Sequence, residues 1–322
     1  MGLIVTQYIG LMGSIQWGMR QWSELENQMT SVERILEYTG LESEPVRDES
    51  QRPTSKNWPE HGRIVFKDVR LTYNPNEAPV LKNLNFTINA GEKVGIVGRT
   101  GAGKSSIITA LFQLYQIEGS IFIDDVDTTK IPLDLLRSKI AIIPQEPVLF
   151  SGTMRKNLDP FDEYNDDILW SALEQVELKE VIKELPHGLS TDVTEGGANF
   201  SVGQRQLVCL ARAIIRKNKI LVLDEATANV DPHTDGLIQK TIRKQFIDCT
   251  VLTIAHRLHT VMDSDKILAM SSGNMVEFDH PHVLLKNEGG YLTHMVETLG
   301  KSTAKNLRHI SEKVSFACTY YN

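Results

Sequence analysis

Short apolar runs alternate with helical stretches over most of the chain, and this alternation predicts its fold class. The runs typical of buried strands lie at 121–123, 140–143, 220–223, 251–254 and 267–270. Strands separated by helices favour a mainly parallel sheet with helices on both faces. Earlier apolar runs, which predict an antiparallel β subdomain, lie at 63–66, 69–73 and 84–88. Between Glu146 and Arg216 the pattern is mostly helical, which predicts an inserted helical subdomain.

The N-terminal part of the chain shows a different pattern. An apolar stretch at 3–19, interrupted by polar residues, is too short and too polar to span a bilayer by itself and looks like part of a membrane span. Beyond it, apolar residues recur at helical spacing, at Trp22, Leu25, Met29, Val32, Ile35 and Leu36. The next stretch, 40–61, is rich in Glu, Ser, Pro and Arg and is predicted to be a linker. We predict a compact domain over 62–299 and a loose polar tail at 300–322.

Composition limits the function classes. The chain has 322 residues, 41% hydrophobic and 23% charged, which is enough to bury one large domain or two modest ones. Its formal net charge of −7 disfavours extended contact with nucleic acid. The scattered Cys209, Cys249 and Cys318 indicate free thiols in a reducing compartment. No histidine cluster has the spacing of zinc ligands, so no dedicated zinc site is predicted.

The most specific chemical signal is a glycine-rich segment between a predicted strand and a predicted helix. It fits the phosphate-loop pattern G-x-x-x-x-G-K-[ST] at every fixed position and continues into the helix, as Gly98-Arg99-Thr100-Gly101-Ala102-Gly103-Lys104-Ser105-Ser106. Its glycines let backbone N–H groups and the helix N-terminus close around a polyphosphate. Lys104 is predicted to reach the β- and γ-phosphates of ATP, and the Ser105 hydroxyl to bind Mg²⁺. The alternative is a glycine-rich turn with a purely structural role.

A second chemical signal is the pair of carboxylates, Asp224 and Glu225, that ends the strand predicted at 220–223. Asp224 is predicted to orient Mg²⁺ or its water shell, and Glu225 to polarise the attacking water or accept its proton. An acidic pair at a strand end is weak evidence alone because it can be merely solvated. Its place after a phosphate loop makes it strong. The predicted fold is therefore an α/β phosphate-loop ATPase core with a mainly parallel sheet, an N-terminal antiparallel β subdomain and an inserted helical subdomain.

Between these two signals the sequence resembles the ATP-binding-cassette (ABC) family. The family signature, Leu-Ser-Gly-Gly-Gln, is matched at Ser201, Gly203 and Gln204, whereas Phe200 and Val202 depart from it. Other family landmarks follow in order, namely Tyr73 like the residue that stacks on adenine, Gln145 like the Q-loop glutamine, 228–231 like the D-loop, and His256 like the switch histidine. The resemblance covers 62–299. Details at 97–106 and 157–160 are similar to the second cassette of the C subfamily, the multidrug resistance-associated proteins.

The resemblance implies a role for each landmark, and each residue type also has a plainer explanation. Tyr73 would stack on the adenine of ATP, although a tyrosine at a strand end can simply pack. Gln145 would contact Mg²⁺-bound water, or be an ordinary loop residue. His256 would hydrogen-bond to the γ-phosphate, or only to neighbouring protein groups. Ser201 and Gly203, before a helix, would meet a phosphate held by a second cassette, which implies a head-to-tail dimer.

The family resemblance also implies a function and a place in the cell. It implies one of the two ATPase cassettes of a membrane exporter, with transmembrane domains as partners. The cassette would lie on the cytoplasmic side of a membrane, most simply the plasma membrane. By the same resemblance, 1–39 is the end of a transmembrane helix and its cytoplasmic extension. Two alternatives remain: a regulatory cassette that gates a channel, and a soluble cassette ATPase acting in DNA repair or on ribosomes.

The altered signature predicts an unequal pair of cassettes. Val202 adds a side chain where a partner's phosphate must approach the backbone, so the site that this chain completes for its partner is expected to be the weaker one. The hydrolytic site is expected to be the one built on Lys104. The partner cassette is therefore expected to be non-identical.

Overall fold

The computed structural model of the protein describes residues 2–41, 43–45, 47, 53, 55, 57–226, 230–255 and 257–320. The chain divides into two compact units, Met1–Val46 and Arg47–Asn322. The α-helices are α1 (Gly2–Thr39), α2 (Lys104–Leu111), α3 (Leu133–Ser138), α4 (Met154–Leu158), α5 (Asp166–Gln175), α6 (Lys179–Lys183), α7 (Val202–Arg216), α8 (Pro232–Gln245), α9 (Pro281–Leu284), α10 (Tyr291–Glu297) and α11 (Lys301–Tyr320). The strands are β1 (Ile64–Leu71), β2 (Leu81–Ile88), β3 (Lys93–Gly98), β4 (Ile117–Ile123), β5 (Val126–Asp127), β6 (Ile140–Ile143), β7 (Gly152–Thr153), β8 (Asp192–Val193), β9 (Ile220–Asp224), β10 (Thr250–Ile254), β11 (Lys266–Ser271) and β12 (Asn274–Asp279).

The first unit consists mainly of α1, a single helix on which apolar side chains are exposed over the whole length. None of its residues is buried. Within the described ranges, no helix is both long enough and apolar enough to cross a membrane. The assignment of 1–39 to the end of a transmembrane helix therefore stays a prediction.

The centre of the second unit is a six-stranded sheet in the order β12-β11-β3-β10-β9-β6. Its neighbouring strands pair in parallel, except for β12, which pairs antiparallel with β11 at the edge. Ile96, Val222 and Ile254 of its central strands are buried, as expected for parallel strands covered on both faces. The predicted α/β core with a mainly parallel sheet is confirmed.

The antiparallel β subdomain is also confirmed, as a four-stranded sheet in the order β2-β1-β4-β5. Two sequence predictions are corrected there. The runs at 63–66 and 69–73 form one strand, β1, whose register shifts between Phe66 and Val69 around Asp68, a residue with φ 50°. The run at 121–123 belongs to β4, which pairs antiparallel with β1, and not to the parallel sheet. A short apolar run predicts a strand but carries no information about its partner.

The helical subdomain lies between β6 and β9, and its helices pack in an apolar core that also includes residues of β6 and β9. Leu169 and Leu173 of α5 pack there against α7, with Val208 of α7 fully buried. The Asn165 side chain caps α5 by accepting a hydrogen bond from the Ile168 N–H. The predicted inserted subdomain is therefore present.

The folded unit extends beyond the predicted boundaries at both ends. Trp58, in the predicted linker, is 4% exposed, and its indole N–H donates to the Ile123 carbonyl at 3.0 Å. The Arg47 guanidinium donates to the carbonyl oxygen of Thr128 at 2.8 Å. Beyond residue 300, α11 packs against α9 and α10, and Ala304, Leu307 and Ser311 are buried in the part of α11 whose side chains are described, 301–312. In both segments, a few buried or hydrogen-bonded residues anchor a stretch of mostly polar composition to the folded unit.

Candidate functional site

The predicted phosphate-binding and acidic residues meet at one edge of the parallel sheet. In the strand register Ile96 lies beside Ile254, and Ile254 lies beside Asp224. Parallel strands in register end at the same edge, so the segments that follow β3, β6, β9 and β10 come together there. These segments carry the phosphate loop, Gln145, the acidic pair and the predicted switch histidine. His256, like residues 227–229, lies outside the described residues.

The phosphate loop is a tight turn whose first and last fixed glycines are both necessary. Gly98 and Gly103 have φ values of 157° and 98°. A Cβ at Gly98 would collide with the Met270 carbonyl oxygen, and one at Gly103 would lie 3.1 Å from the Leu81 side chain. Gly103 directly precedes α2, so the N–H groups of the first helical turn face the loop. The loop therefore fits a polyphosphate chain.

Lys104 is the fixed lysine of the phosphate-loop pattern, and it begins α2. Its side chain is 6% exposed, and its ammonium group donates to the carbonyl oxygens of Gly98 at 3.1 Å and Arg99 at 3.4 Å. Both acceptors are neutral, so the positive charge of Lys104 is not neutralised by them. Ser105 is exposed on the first turn of α2, where its hydroxyl is a suitable oxygen ligand for Mg²⁺. Between Gly98 and Gly103 the loop contains Arg99, Thr100, Gly101 and Ala102.

Tyr73 lies after β1, and its side chain is hydrogen-bonded to the first turn of α2. Its hydroxyl donates to the Ser106 hydroxyl at 3.0 Å, and its ring packs edge-on against Tyr115, with 4.8 Å between the ring centres. The Tyr73 side chain is still partly exposed. It therefore stands beside the phosphate loop with its ring direction set by two contacts. The sequence held no signal for the involvement of Tyr115.

Asp224 ends β9, and Glu225 turns the chain away from the sheet. Glu225 has φ 49°, in the left-handed region that is uncommon for a residue other than glycine. Its N–H donates to the Ile254 carbonyl at 3.2 Å, which holds the turn against the end of β10. The turn therefore fixes the backbone of Glu225 at the end of β9, next to the end of β10.

Gln145 is exposed directly after Pro144, in the segment that follows β6. The Pro144 carbonyl accepts a hydrogen bond at 3.1 Å from the side-chain N–H of Gln206 on α7. Gln206 is 1% exposed. Sequence reasoning did not single it out, and its position two residues after Gln204 was the only available signal.

The signature segment forms the N-terminal turn of α7. The Ser201 hydroxyl accepts from the Gln204 N–H at 3.1 Å, while the Gln204 side chain accepts from the Ser201 N–H at 2.9 Å, which is a capping box. A Cβ at Gly203 would lie 3.2 Å from the Thr234 side chain. In the described part of the chain, no hydrogen bond or ion pair joins this turn to the phosphate loop.

The two departures from the family signature have different structural consequences. Phe200 is buried in the core of the helical subdomain, so this departure affects packing inside the chain. Val202 is the first residue of α7 and 37% exposed, and its backbone is helical. Val202 is therefore unstrained, and its effect is the bulk that it adds outside the helix N-terminus.

The described part of the D-loop leads into α8. The Asp231 carboxylate accepts from the Thr234 N–H at 2.9 Å and caps the helix. This backbone hydrogen bond lowers the pKa of Asp231 below its ordinary value. The carboxylate is therefore ionised at neutral pH.

Comparisons with known proteins agree with this geometry. The family model described as ABC transporter matches residues 81–228. "Probable multidrug resistance-associated protein lethal(2)03659" of Drosophila melanogaster is 57% identical over 97% of this chain and 23% of its own length. "ATP-binding cassette sub-family C member 4" of Homo sapiens is 56% identical over 99% of this chain and 24% of its own length. A solved structure, "Structure of a bacterial Atm1-family ABC exporter with ATP bound", has a TM-score of 0.76 and 30% identity over 86% of this chain and 48% of that chain.

The fold and the site together define a cassette ATPase of the phosphate-loop class. The chain belongs to the ABC transporter family. The two curated relatives reported above are of the C subfamily or multidrug resistance-associated type. The chain spans about a quarter of the length of those relatives. The family predicted from the signature and its landmarks is confirmed.

Proposed function

We propose that this chain is the ATP-hydrolysing cassette of a C-subfamily exporter, in which nucleotide binding and hydrolysis drive a substrate across a membrane. The observation that carries the proposal is the meeting of the phosphate loop, the segment of Gln145 and the acidic pair at one edge of the sheet. These groups come from distant parts of the chain. Phosphoryl transfer depends chiefly on such positioning and on electrostatic stabilisation.

Each residue of this edge has a proposed task. ATP supplies the phosphoryl group that is transferred to water, and Mg²⁺ offsets its negative charge. Tyr73 stacks on the base, while the N–H groups of 98–103 and the ammonium group of Lys104 hold the phosphates. Ligands for Mg²⁺ or its water come from Ser105, Gln145 and Asp224. Glu225 takes the proton of the attacking water, and His256 contacts the γ-phosphate.

The partner that we propose is a second, non-identical cassette bound head to tail. Val202 and Gly203 are the first two residues of α7, and backbone N–H groups at such positions have no acceptor within their own helix. They can therefore donate to a phosphate held by the other cassette. Transmembrane domains are the further partners, with this cassette on the cytoplasmic side of the plasma membrane.

Inside-out membrane vesicles test this function. Vesicles from cells that express the complete transporter containing this chain should take up at least one member of a panel of labelled solutes when ATP is added. Glu225→Gln should abolish the uptake while retaining ATP binding. An ATP-dependent ion current without solute uptake would assign the chain to a regulatory cassette instead. ATP hydrolysis without any membrane association would assign it to the soluble class.

A further inference from the structure

Gln206 lies where α7 meets the segment after β6, and it is almost fully buried. Its side-chain N–H donates to the Pro144 carbonyl oxygen at 3.1 Å. A carbonyl oxygen can only accept, so this bond fixes which way the amide is turned. The other end of the amide, Oε1, is buried and has no hydrogen-bond partner among the residues that the structure describes.

Packing alone does not account for a glutamine at this place. A buried acceptor without a partner costs free energy, whereas a methionine of similar length would fill the same volume without that cost. The amide therefore has two uses: its N–H donates to the Pro144 carbonyl, and its Oε1 is an acceptor that a further donor can use. Both features belong to the interface between α7 and the segment that carries Gln145.

This one bond joins two parts of the proposed nucleotide machinery. Pro144 directly precedes Gln145, which serves the nucleotide held by Lys104. Gln206 lies one helical turn after Gly203, which faces the nucleotide of the partner cassette. A displacement of either part is therefore transmitted to the other through the Gln206 side chain.

We propose that Gln206 is a positioning residue that couples the Q-loop to the signature turn. It holds the Pro144 carbonyl and so sets the place of Gln145 relative to the N-terminus of α7. Its Oε1 accepts a donor from the Q-loop when that segment closes on the nucleotide. The role in nucleotide response rests on the proposed function, whereas the mechanical link is a property of the chain without nucleotide.

Hydrogen exchange of the nucleotide-free chain tests the link directly. Gln206→Met removes the donor at nearly constant volume, and Gln206→Asn keeps an amide that is one methylene too short to reach Pro144. The matched control is Gln175→Met on α5, because Gln175 also has a buried Oε1 without a partner in the described part of the chain. Thermal melting establishes that each variant is folded.

We expect exchange of the Phe150 N–H, which is hydrogen-bonded to the Asn157 side chain at the end of the segment that follows β6, to quicken about fivefold in both Gln206 variants, in keeping with the loss of one net hydrogen bond, and not in Gln175→Met. Unchanged exchange of the Phe150 N–H in either folded Gln206 variant would overturn the link. Equal acceleration in Gln175→Met would overturn it too, because the effect would then be general loosening of the subdomain.

Magnesium dependence tests the role in the nucleotide response. In Gln206→Met the affinity for ATP without Mg²⁺ should stay within about twofold, while the Mg²⁺ concentration for half-maximal hydrolysis should rise about fivefold. An unchanged Mg²⁺ requirement would overturn the coupling. These hydrolysis rates are measured on the complete transporter that contains this chain. If that transporter with the wild-type chain hydrolysed no ATP, the proposed function would fail, and the exchange experiment would still decide whether the link exists.

Discussion

Among the residues that the structure describes, Lys104 is held by carbonyl oxygens and not by a carboxylate, and this decides how its side chain can act. Neutral acceptors position the ammonium group but leave its charge available to an anion. Tyr73 is likewise held at its hydroxyl while its ring stays partly exposed. Single residues of the site are therefore placed in advance, and their binding atoms remain usable.

Two substitutions should separate binding from chemistry. Lys104→Ala should weaken ATP binding roughly tenfold to a hundredfold, because a charge-assisted hydrogen bond contributes roughly 1.5–3 kcal/mol. Glu225→Gln should leave the affinity nearly unchanged and slow hydrolysis about 10²- to 10⁴-fold, as expected on loss of a general base. Fluorescent-nucleotide titration and phosphate release measure the two effects. The roles are wrongly assigned if Glu225→Gln lowers affinity as much as Lys104→Ala while bound ATP is hydrolysed at the normal rate.

Three substitutions at Tyr73 test its ring and its hydroxyl separately. Tyr73→Ala should weaken ATP binding by about 1–3 kcal/mol of lost stacking, and Tyr73→Trp should preserve it. Tyr73→Phe should keep the affinity but lower the free energy of unfolding by about 1 kcal/mol, because the bond to Ser106 is lost. Titration with ATP and urea unfolding measure these quantities. Equal affinity of the Tyr, Trp and Ala forms would mean that the ring only packs.

Among the structural elements, the segment 61–63, which leads into β1, donates its backbone N–H groups to a single side chain. The Asp124 carboxylate, after β4, accepts from the N–H groups of His61 at 2.8 Å, Gly62 at 3.1 Å and Arg63 at 2.8 Å. Trp58 is buried beside them. One carboxylate thus replaces the regular strand pairing that this segment lacks.

The stability given by Asp124 should depend on pH. Burial acts to raise the pKa of the Asp124 carboxyl, but the N–H groups of His61, Gly62 and Arg63 outweigh it and bring the pKa below its ordinary value. The stabilisation is therefore fully present above the ordinary pKa of about 4 and is lost as the pH falls through the lower folded-state value.

Asp124→Asn should lower the free energy of unfolding by about 1 kcal/mol at pH 7, a modest value because solvent screens this partly exposed group. The difference from wild type should shrink below pH 4. Urea unfolding at pH 7, 5 and 3.5 measures it. A difference that stayed constant over this range would show that the charge of Asp124 contributes nothing.

For the whole molecule, the proposal of an unequal pair of cassettes rests on one exposed side chain, Val202. The backbone of Val202 is helical, so the obstacle that we expect for a partner's phosphate is the bulk of its side chain and not backbone strain. A homodimer would place Val202 beside both nucleotides. The isolated chain should therefore bind ATP but hydrolyse it slowly.

Val202→Gly should raise the ATPase rate of the isolated chain several-fold, and the gain should grow with protein concentration because it requires a dimer. Val181→Gly on α6 is the matched control, since Val181 is 36% exposed and Val202 37%. Each Val→Gly substitution costs roughly a few tenths of a kcal/mol of helix propensity, so the control reports that cost alone. Rapid hydrolysis by the wild-type homodimer, unchanged by Val202→Gly, would contradict the unequal pair.

The phosphate loop, the acidic pair and the fold class were determined by the sequence alone. Each depends on neighbouring residues, since glycine spacing sets a turn and apolar periodicity sets a strand or a helix. The capping box of Ser201 and Gln204 has the same local origin. Such features keep their chemistry wherever the fold places them.

Only the tertiary structure decided which distant segments meet. The assignment of 121–123 to the antiparallel sheet, the burial of Trp58, the packing of α11 and the bond from Gln206 to Pro144 all join residues far apart in the chain. Their partners are selected by the free energy of burying apolar surface and pairing polar groups in the whole domain. A local sequence pattern does not indicate which distant segment will become the partner. For that reason the sequence predicted the site residues but not the contacts that hold them.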